Sequence, residues 1–495
     1  MKISILIPSG ILLAVYWANY FFKDRKKGVP LSVPLAFTCL FIPKVNLIHV
    51  NRTYSTAGIR TDDLLALLLL IVAVRDACTY KNKHIWRGII LLIILTAANM
   101  VSIIVGLTSG LENAIPYCFL PIIRRYEYFA FALIGIYITR RIQNAEKTAL
   151  NQLVWMSSFH VIIGLLQVAR LCNVANSGII TNKEYNGFAI STFNGNYEFG
   201  LFLCLSIVVY LFFFLRAYRE KAVGRTIFHA GMILISLIMI VLTKSRTSFI
   251  IGTLLIAMII LVAVWRSRNR ILVIVATTGI ALCLLIGTLF ATGTVKVGRF
   301  SVVNFNEYAE ELRMNVENAD LREYVKIVRD DEIQEKKVVK SKIKDKSAAI
   351  RFNKWGAALV GFREFPVFGY GTGVTHVIDG NYVKLLAENG VVGLVLWLIM
   401  YVYFMKIMWK MGKHSLPGRC AFWMMAAILM ASVFLDMFEA SKPMEMLWLT
   451  IGLVIALDAR RTEGTDEKLQ GLPETERPEP EKKTGTPQNA TAAEE

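Results

Sequence analysis

Charge is scarce in this chain. Only 19% of its 495 residues are Asp, Glu, Lys or Arg, while 55% are hydrophobic and the mean hydropathy is +0.50. A soluble protein of that length needs more polar surface than this composition leaves, so a string of soluble domains is excluded. Paired cysteines are missing as well. The seven cysteines lie scattered in or beside apolar blocks with no CxxC spacing, which argues against both a disulfide framework and a zinc site. No Gly-Lys-Ser/Thr completes a glycine-rich turn, so a nucleotide-hydrolysing engine has no support. No fixed period runs through the apolar blocks, which speaks against a repeat-built transporter. No small-residue cleavage site follows the first apolar run, so residues 1–22 read as a retained span.

What is present is a series of apolar blocks long enough to cross a bilayer. Candidate spans fall near 3–22, 30–48, 63–79, 87–107, 122–139, 150–170, 198–217, 226–243, 247–265, 271–293, 389–410, 419–437 and 440–458. The second is the weakest, with Pro30, Pro34 and Pro43 inside it. The expected fold is an all-α integral membrane protein of about twelve to fourteen transmembrane helices with one large extracytoplasmic helical loop. It divides into an N-terminal transmembrane bundle (1–293), the large loop (294–388), C-terminal transmembrane helices (389–458) and a disordered cytoplasmic tail (459–495). That tail is rich in Glu, Pro, Thr and Lys and too poor in large apolar residues to fold.

The 55 basic residues outnumber 37 acidic ones, for a net charge of +18. In a soluble chain this would suggest nucleic acid. Here the basic residues gather in alternate loops, after the first, third, fifth, seventh, ninth and eleventh spans, as the positive-inside rule expects. Nucleic acid is therefore not an expected partner. The remaining loops, including 294–388, are assigned to the outer face. Within that loop a helix is expected over 347–365, ended by Pro366 and followed by a glycine-rich turn.

Several polar residues on the outer face could carry chemistry. Lys244 and Arg246 lie in a Lys-Ser-Arg-Thr-Ser turn at 244–248. Such a pair either anchors a span end at the headgroups or binds an anionic substrate through the guanidinium fork. A basic pair in an otherwise polar-poor external turn favours the second. Arg124 and Arg125 stand at the outer end of the fifth span, and Glu198 follows a Phe-Asn-Gly-Asn-Tyr run before the seventh. Arg351 and Arg363 flank Trp355 in the loop, next to Gly369, Gly371 and Gly373, whose backbone N–H groups could approach an anion. A tight reversal alone would also want those glycines. His376, Asp379, Asn381, Tyr382, Lys384 and Glu388 close the loop. A histidine or carboxylate there could take a proton from an acceptor hydroxyl, or His376 is simply an exposed loop residue. These scattered groups form no divalent-metal constellation. Several outer-face cations suggest one shared anionic pocket.

The ordered pattern resembles the O-antigen ligase and O-antigen polymerase superfamily. The Ser-Thr-Phe-Asn-Gly-Asn-Tyr-Glu-Phe-Gly run at 191–200 is similar to that family's polar lead-in to a span, and Ser-Arg-Thr-Ser at 245–248 to its Ser-Arg-Thr element. A single large external loop follows, carrying Arg351, Trp355, Pro366, Gly369 and Gly371. It ends in Asn-Tyr-Val-Lys-Leu-Leu-Ala-Glu-Asn-Gly-Val-Val-Gly at 381–393, like the family's Asn-x-Tyr…Glu-x-Gly-x-x-Gly run. The resemblance implies glycosyl transfer outside the cytoplasmic membrane of a bacterium, from a glycan on undecaprenyl diphosphate to a sugar hydroxyl, with no nucleotide sugar and no metal or other cofactor. Arg246, assisted by Lys244 and by Arg124, Arg125, Arg351 or Arg363, would hold the diphosphate. Asp379 or His376 would serve the acceptor, and Asn381 and Tyr382 would shape the loop or bind sugar. Expected partners are the lipid-linked glycan, membrane lipids and the chain-length regulator and flippase of such a pathway. Ligases of this family carry histidine directly before the Asn of the Asn-x-Tyr element, where this chain has Gly380. That departure shifts the expectation from ligation onto lipid A core toward polymerisation of repeat units. A transporter or flippase for lipid-linked glycans is the rival from another class; it would show inverted repeats and charges at mid-span.

Overall fold

The computed structural model describes residues 3–43, 46–49, 58–79, 82–110, 115–173, 187–267, 310, 313, 346–373 and 380–470. The described architecture is almost wholly helical: α1 (Leu6–Asn19), α2 (Ser32–Phe41), α3 (Thr61–Thr79), α4 (Lys83–Thr108), α5 (Ile115–Thr139), α6 (Ala145–Val168), α7 (Asn196–Arg219), α8 (Val223–Leu242), α9 (Arg246–Ser267), α10 (Lys346–Glu364), α11 (Asn381–Gly412), α12 (Leu416–Ala431) and α13 (Ser441–Gln470). Among the described residues, α4, α6, α7, α8 and α11 are each long and apolar enough to cross a membrane. The chain is an all-α integral membrane protein. Ile90, Ile93, Leu234 and Ile238 are exposed on α4 and α8, as lipid-facing surfaces are, while α7 is mostly buried at the centre of the bundle.

The described helices differ from the expected spans at three places. The span expected over 30–48 is a ten-residue helix, about 15 Å long and half a hydrocarbon core. Residues 46–49 then pair antiparallel with 58–60 as a small two-stranded sheet. Its prolines explain the truncation: Pro34 fits the first turn of α2, and Pro43 cannot extend it. The span expected over 389–410 belongs to a helix that begins at Asn381 and is broken inside the expected span, where Gly390 stands at φ +63°, ψ −168°. The last helix continues to Gln470, into a stretch whose composition predicts disorder. The expected span 271–293 and most of the loop from 294 to 345 lie outside the described residues, as does the tail beyond 470.

Loop contacts gather the basic loops at one end of the bundle. Arg140 and Arg141 both reach Asp76 at 3.2 Å, Arg216 pairs with Glu146, and Arg460 donates to the Ile142 carbonyl at 2.9 Å. The opposite end carries the polar turns that precede α3, α7, α9, α11 and α13. Two close helix contacts fix its geometry. A Cβ at Gly135 of α5 would lie 2.4 Å from the Leu449 carbonyl oxygen, and one at Gly452 of α13 would lie 2.0 Å from that of Ala132. With glycine at both positions the two backbones touch, which sets the start of α5 against the turn before α13.

Candidate functional site

A narrow cleft opens between α4, α5, α11 and the turn joining α12 to α13. Its polar lining is Arg125, Tyr128, Asn381, Lys384, Glu388, Asp436 and Glu439. Aromatic rings form its floor: Trp397 stacks on Tyr401 at 3.8 Å between ring centres and meets Phe438 in a tilted pair at 3.7 Å. The open volume is about 30 Å³, enough for one or two water molecules and not for a sugar ring.

Sequence and local structure explain how each group arrives there. Pro121 interrupts the hydrogen-bond ladder of α5 one turn before Arg125. Asn381 and Lys384 occupy the first turn of α11, where the Asn381 backbone N–H is tied to the Ser432 carbonyl at 2.9 Å. Tyr382 points the other way and donates to the Leu429 carbonyl at 2.9 Å, so it clamps α11 to α12. Lys384 is buried and donates to Asp436 at 2.9 Å and to Glu439 at 2.5 Å.

The two acids answer their surroundings differently. Burial, then the adjacent Glu439 carboxylate, push the Asp436 carboxyl well above the ordinary carboxylate range, against the pull of Lys384. Burial also acts to raise Glu439, but Lys384 and Arg125 together outweigh it and hold that carboxyl down. The cleft thus pairs an ionised Glu439 with an Asp436 poised to hold or release a proton.

Five buried polar atoms facing this cleft make no hydrogen bond among the described residues: Arg125 Nη1, Tyr128 Oη, Asn381 Oδ1, Asp436 Oδ1 and Trp448 Nε1. Each such atom costs about 1–3 kcal/mol when left unsatisfied. Their convergence marks a place made for a polar ligand or ordered water. Three are donors suited to anionic oxygens, and two are acceptors suited to hydroxyl groups.

The remaining expected site residues are distributed around this end. Arg124 turns away from the cleft and is engaged by Asp63 at 3.2 Å and by Glu127. Lys244 and Arg246 sit in the α8–α9 turn and are not among the cleft-lining side chains. Lys244, at φ +57°, lies over the Phe188 ring at 4.2 Å. That turn packs on the start of α7. Asn196 donates to the Thr243 carbonyl at 3.0 Å, and the Ser245 and Ser248 hydroxyls share a 2.8 Å hydrogen bond beside Gly200. The two short motifs at 191–200 and 245–248 are therefore one packed unit. Glu198 is buried there, accepting from the Asn194 backbone at 3.4 Å. Arg351 and Arg363 belong to α10, the first half-buried and the second exposed; neither lines the cleft. His376 and Asp379 lie outside the described residues. The single pocket expected to gather all outer cations thus resolves into a cleft holding Arg125 and a separate turn holding Lys244 and Arg246.

The glycine-rich turn is not an anion cradle in this arrangement. The Tyr370 and Gly371 N–H groups donate to the Ala387 and Glu388 carbonyls, both at 3.1 Å, and Val391 and Val392 donate back to the Pro366 and Val367 carbonyls at 2.9 and 3.2 Å. The turn is sewn to the α11 kink. Among the described residues, no group of three or more His, Cys, Asp or Glu side chains is placed to hold a metal ion.

Sequence reading did not single out Asp436, Glu439, Tyr128 or Trp448. The available signal was two carboxylates in a short apolar turn between the last two spans, where a charge needs a reason.

Residues 230–398 match the family model described as O-Antigen ligase. The segment runs from α8 through α11 and contains Lys244, Arg246, Arg351, Arg363, Asn381, Lys384 and Glu388. This domain matches the O-antigen ligase and polymerase superfamily, whose members are glycosyltransferase-like membrane enzymes. Arg125, Asp436 and Glu439 lie outside the matched stretch. No curated protein matches the chain.

Proposed function

We propose that this protein is a glycosyltransferase of the bacterial inner membrane that polymerises undecaprenyl-diphosphate-linked repeat units on the outer face. The observation that carries the proposal is the convergence, in one cleft between membrane helices, of Lys384 with five unsatisfied polar atoms, Arg125 Nη1 among them; the cleft as it stands has room only for water, so donor and acceptor enter as its walls part. The departing diphosphate gains negative charge as the glycosidic bond breaks. A fixed guanidinium in a poorly hydrated cleft favours that state over the ground state. The acceptor hydroxyl attacks the anomeric carbon, its proton passes to Asp436 in the ionised form that a carboxyl raised to about 8 adopts as pH rises, and the diphosphate leaves with the bonding electron pair. Asp379 and His376, in the segment just before Asn381, are the loop alternatives for that proton. The reading needs neither a nucleotide sugar nor a metal or other cofactor, since the protein supplies the positive charge. A flippase and a chain-length regulator of the same pathway are its proposed partners.

Polymerisation brings two polyprenyl diphosphates to the protein together, whereas ligation onto lipid A core brings one. The separation of Arg125 from Lys244 and Arg246 provides two places where a cation can meet a diphosphate, and this favours polymerisation. The test is incubation of purified protein with lipid-linked repeat units, with and without lipid A core. Longer lipid-linked chains without core support polymerisation. Transfer only onto core would identify a ligase, and movement of intact donor across vesicles without transfer would identify a flippase.

A further inference from the structure

A second cavity lies at the opposite, basic end of the bundle, between the starts of α6 and α12 and the ends of α7, α9 and α11. Its volume is about 560 Å³. Arg216, Arg219, Lys413 and Arg419 line it, against the two carboxylates Glu146 and Glu220. Both carboxylates are engaged by Arg216, and Glu220 also by Arg225 at 3.2 Å. Arg419 spends its Nε on the Gly412 carbonyl at 2.8 Å. Arg219 and Lys413 have no ion-pair partner among the described residues. His414 and Ser415 also line it, and the remaining wall is apolar and aromatic: Trp409 meets the Phe422 ring at 5.1 Å with half of its own surface exposed, and Trp423 lies beside them.

We propose that this cavity is a binding site for an anionic phospholipid of the cytoplasmic leaflet. Its phosphate would sit between Arg219 and Lys413, and its acyl chains would run along the Trp409 and Phe422 wall. Three features point to a lipid rather than to a soluble anion. The cations exceed the carboxylates in the lining, so a negative group is favoured. The charged mouth continues into an aromatic wall that only a molecule with an apolar part would cover. The basic end is the one the positive-inside rule places in the cytoplasm, where anionic headgroups and basic pockets between helices meet. None of these residues belongs to the proposed glycosyl-transfer site.

The test uses the full chain in neutral detergent, with native mass spectrometry reading retained lipid. Phosphatidylglycerol should be retained at least tenfold better than phosphatidylcholine, and Arg219→Gln with Lys413→Gln should remove that preference. Arg219→Gln alone, which keeps Lys413, should lose part of it; it serves as the folded variant if the pair does not express. Equal retention of both lipids, or an unchanged preference in a folded variant, would overturn the proposal. Glycerol phosphate competing as well as the lipid would show a soluble-anion site. Displacement of phosphatidylglycerol by an acidic peptide of residues 471–495 at lower concentration would make the groove a dock for the chain's own tail. Either result would overturn the lipid assignment.

Discussion

Arg125 is the residue on which the cleft's chemistry turns. Replacing it with alanine removes a fixed cation from the place where diphosphate charge develops, a loss of about 3 kcal/mol or more, on the order of a hundredfold in single-turnover glycan transfer. Arg125→Lys should restore only part, because lysine keeps the charge without the planar fork. Arg246→Ala, measured in the same assay, should slow chain elongation if its turn holds the second diphosphate. Lys384 has a different part. Removing it as Lys384→Met leaves the buried Asp436 and Glu439 without their shared counter-charge, and breaking such a pair costs about 3–5 kcal/mol. A fall in the thermal midpoint in detergent should accompany the loss of activity, whereas Arg125→Ala should leave the midpoint much closer to that of the parent. Asp436 makes a pH prediction with a definite sign. Its folded carboxyl is raised, so the folded protein keeps a proton that the unfolded chain releases above about pH 4. Stability through this group therefore declines as pH rises from there toward the raised value. Asp436→Asn should flatten that decline in midpoint-against-pH curves; an unchanged slope would remove the protonated Asp436 from the account.

At the scale of elements, the turn that follows α10, at 365–371, and the kink in α11 are packed together as one piece. Gly390 occupies a φ/ψ region that only glycine adopts freely, and a Cβ there would lie 2.2 Å from the Val367 carbonyl oxygen. Gly390→Ala should lower the thermal midpoint and, by shifting the first turn of α11, displace Asn381 and Lys384 and reduce transfer; parent-like values for both would show that the kink is dispensable. Much of this level was legible beforehand. The helix ended by Pro366 and most long spans follow from proline chemistry and apolar length. The truncation of α2 was foreshadowed only by its prolines, because the 46–60 pairing is set by contacts distant from any local signal. The kink at Gly390 falls at the Glu-Asn-Gly step of 388–390, which in the sequence stands only as the polar entry to a span. Arg125 and Asn381 were picked out as polar residues beside spans, but their meeting with Asp436 depends on α5 and α13 touching at Gly135 and Gly452. No local pattern reports that contact. The glycine turn misled in the opposite direction: its composition suits an anion, but the Tyr370 and Gly371 N–H groups are committed to α11 and that of Gly369 to Phe365.

For the whole molecule, the charge asymmetry between its ends predicts orientation. Single cysteines placed at Val367 and at Glu220, in a background where the native cysteines are replaced, should react differently with a membrane-impermeant thiol reagent. Val367→Cys should label from the outer side and Glu220→Cys only after the membrane is opened; the reverse would invert the topology. The ion cluster of the cleft also bears on how the chain is made. Arg125 and Lys384 leave the ribosome long before Asp436 and Glu439, the acids that balance them. Until the α12–α13 hairpin arrives, two cations stand at a membrane edge without those partners. Nascent chains stopped before residue 436 are thus incomplete in charge as well as in length, and they should be degraded faster in the membrane than the finished chain, as a pulse-chase of truncated and full-length protein would show.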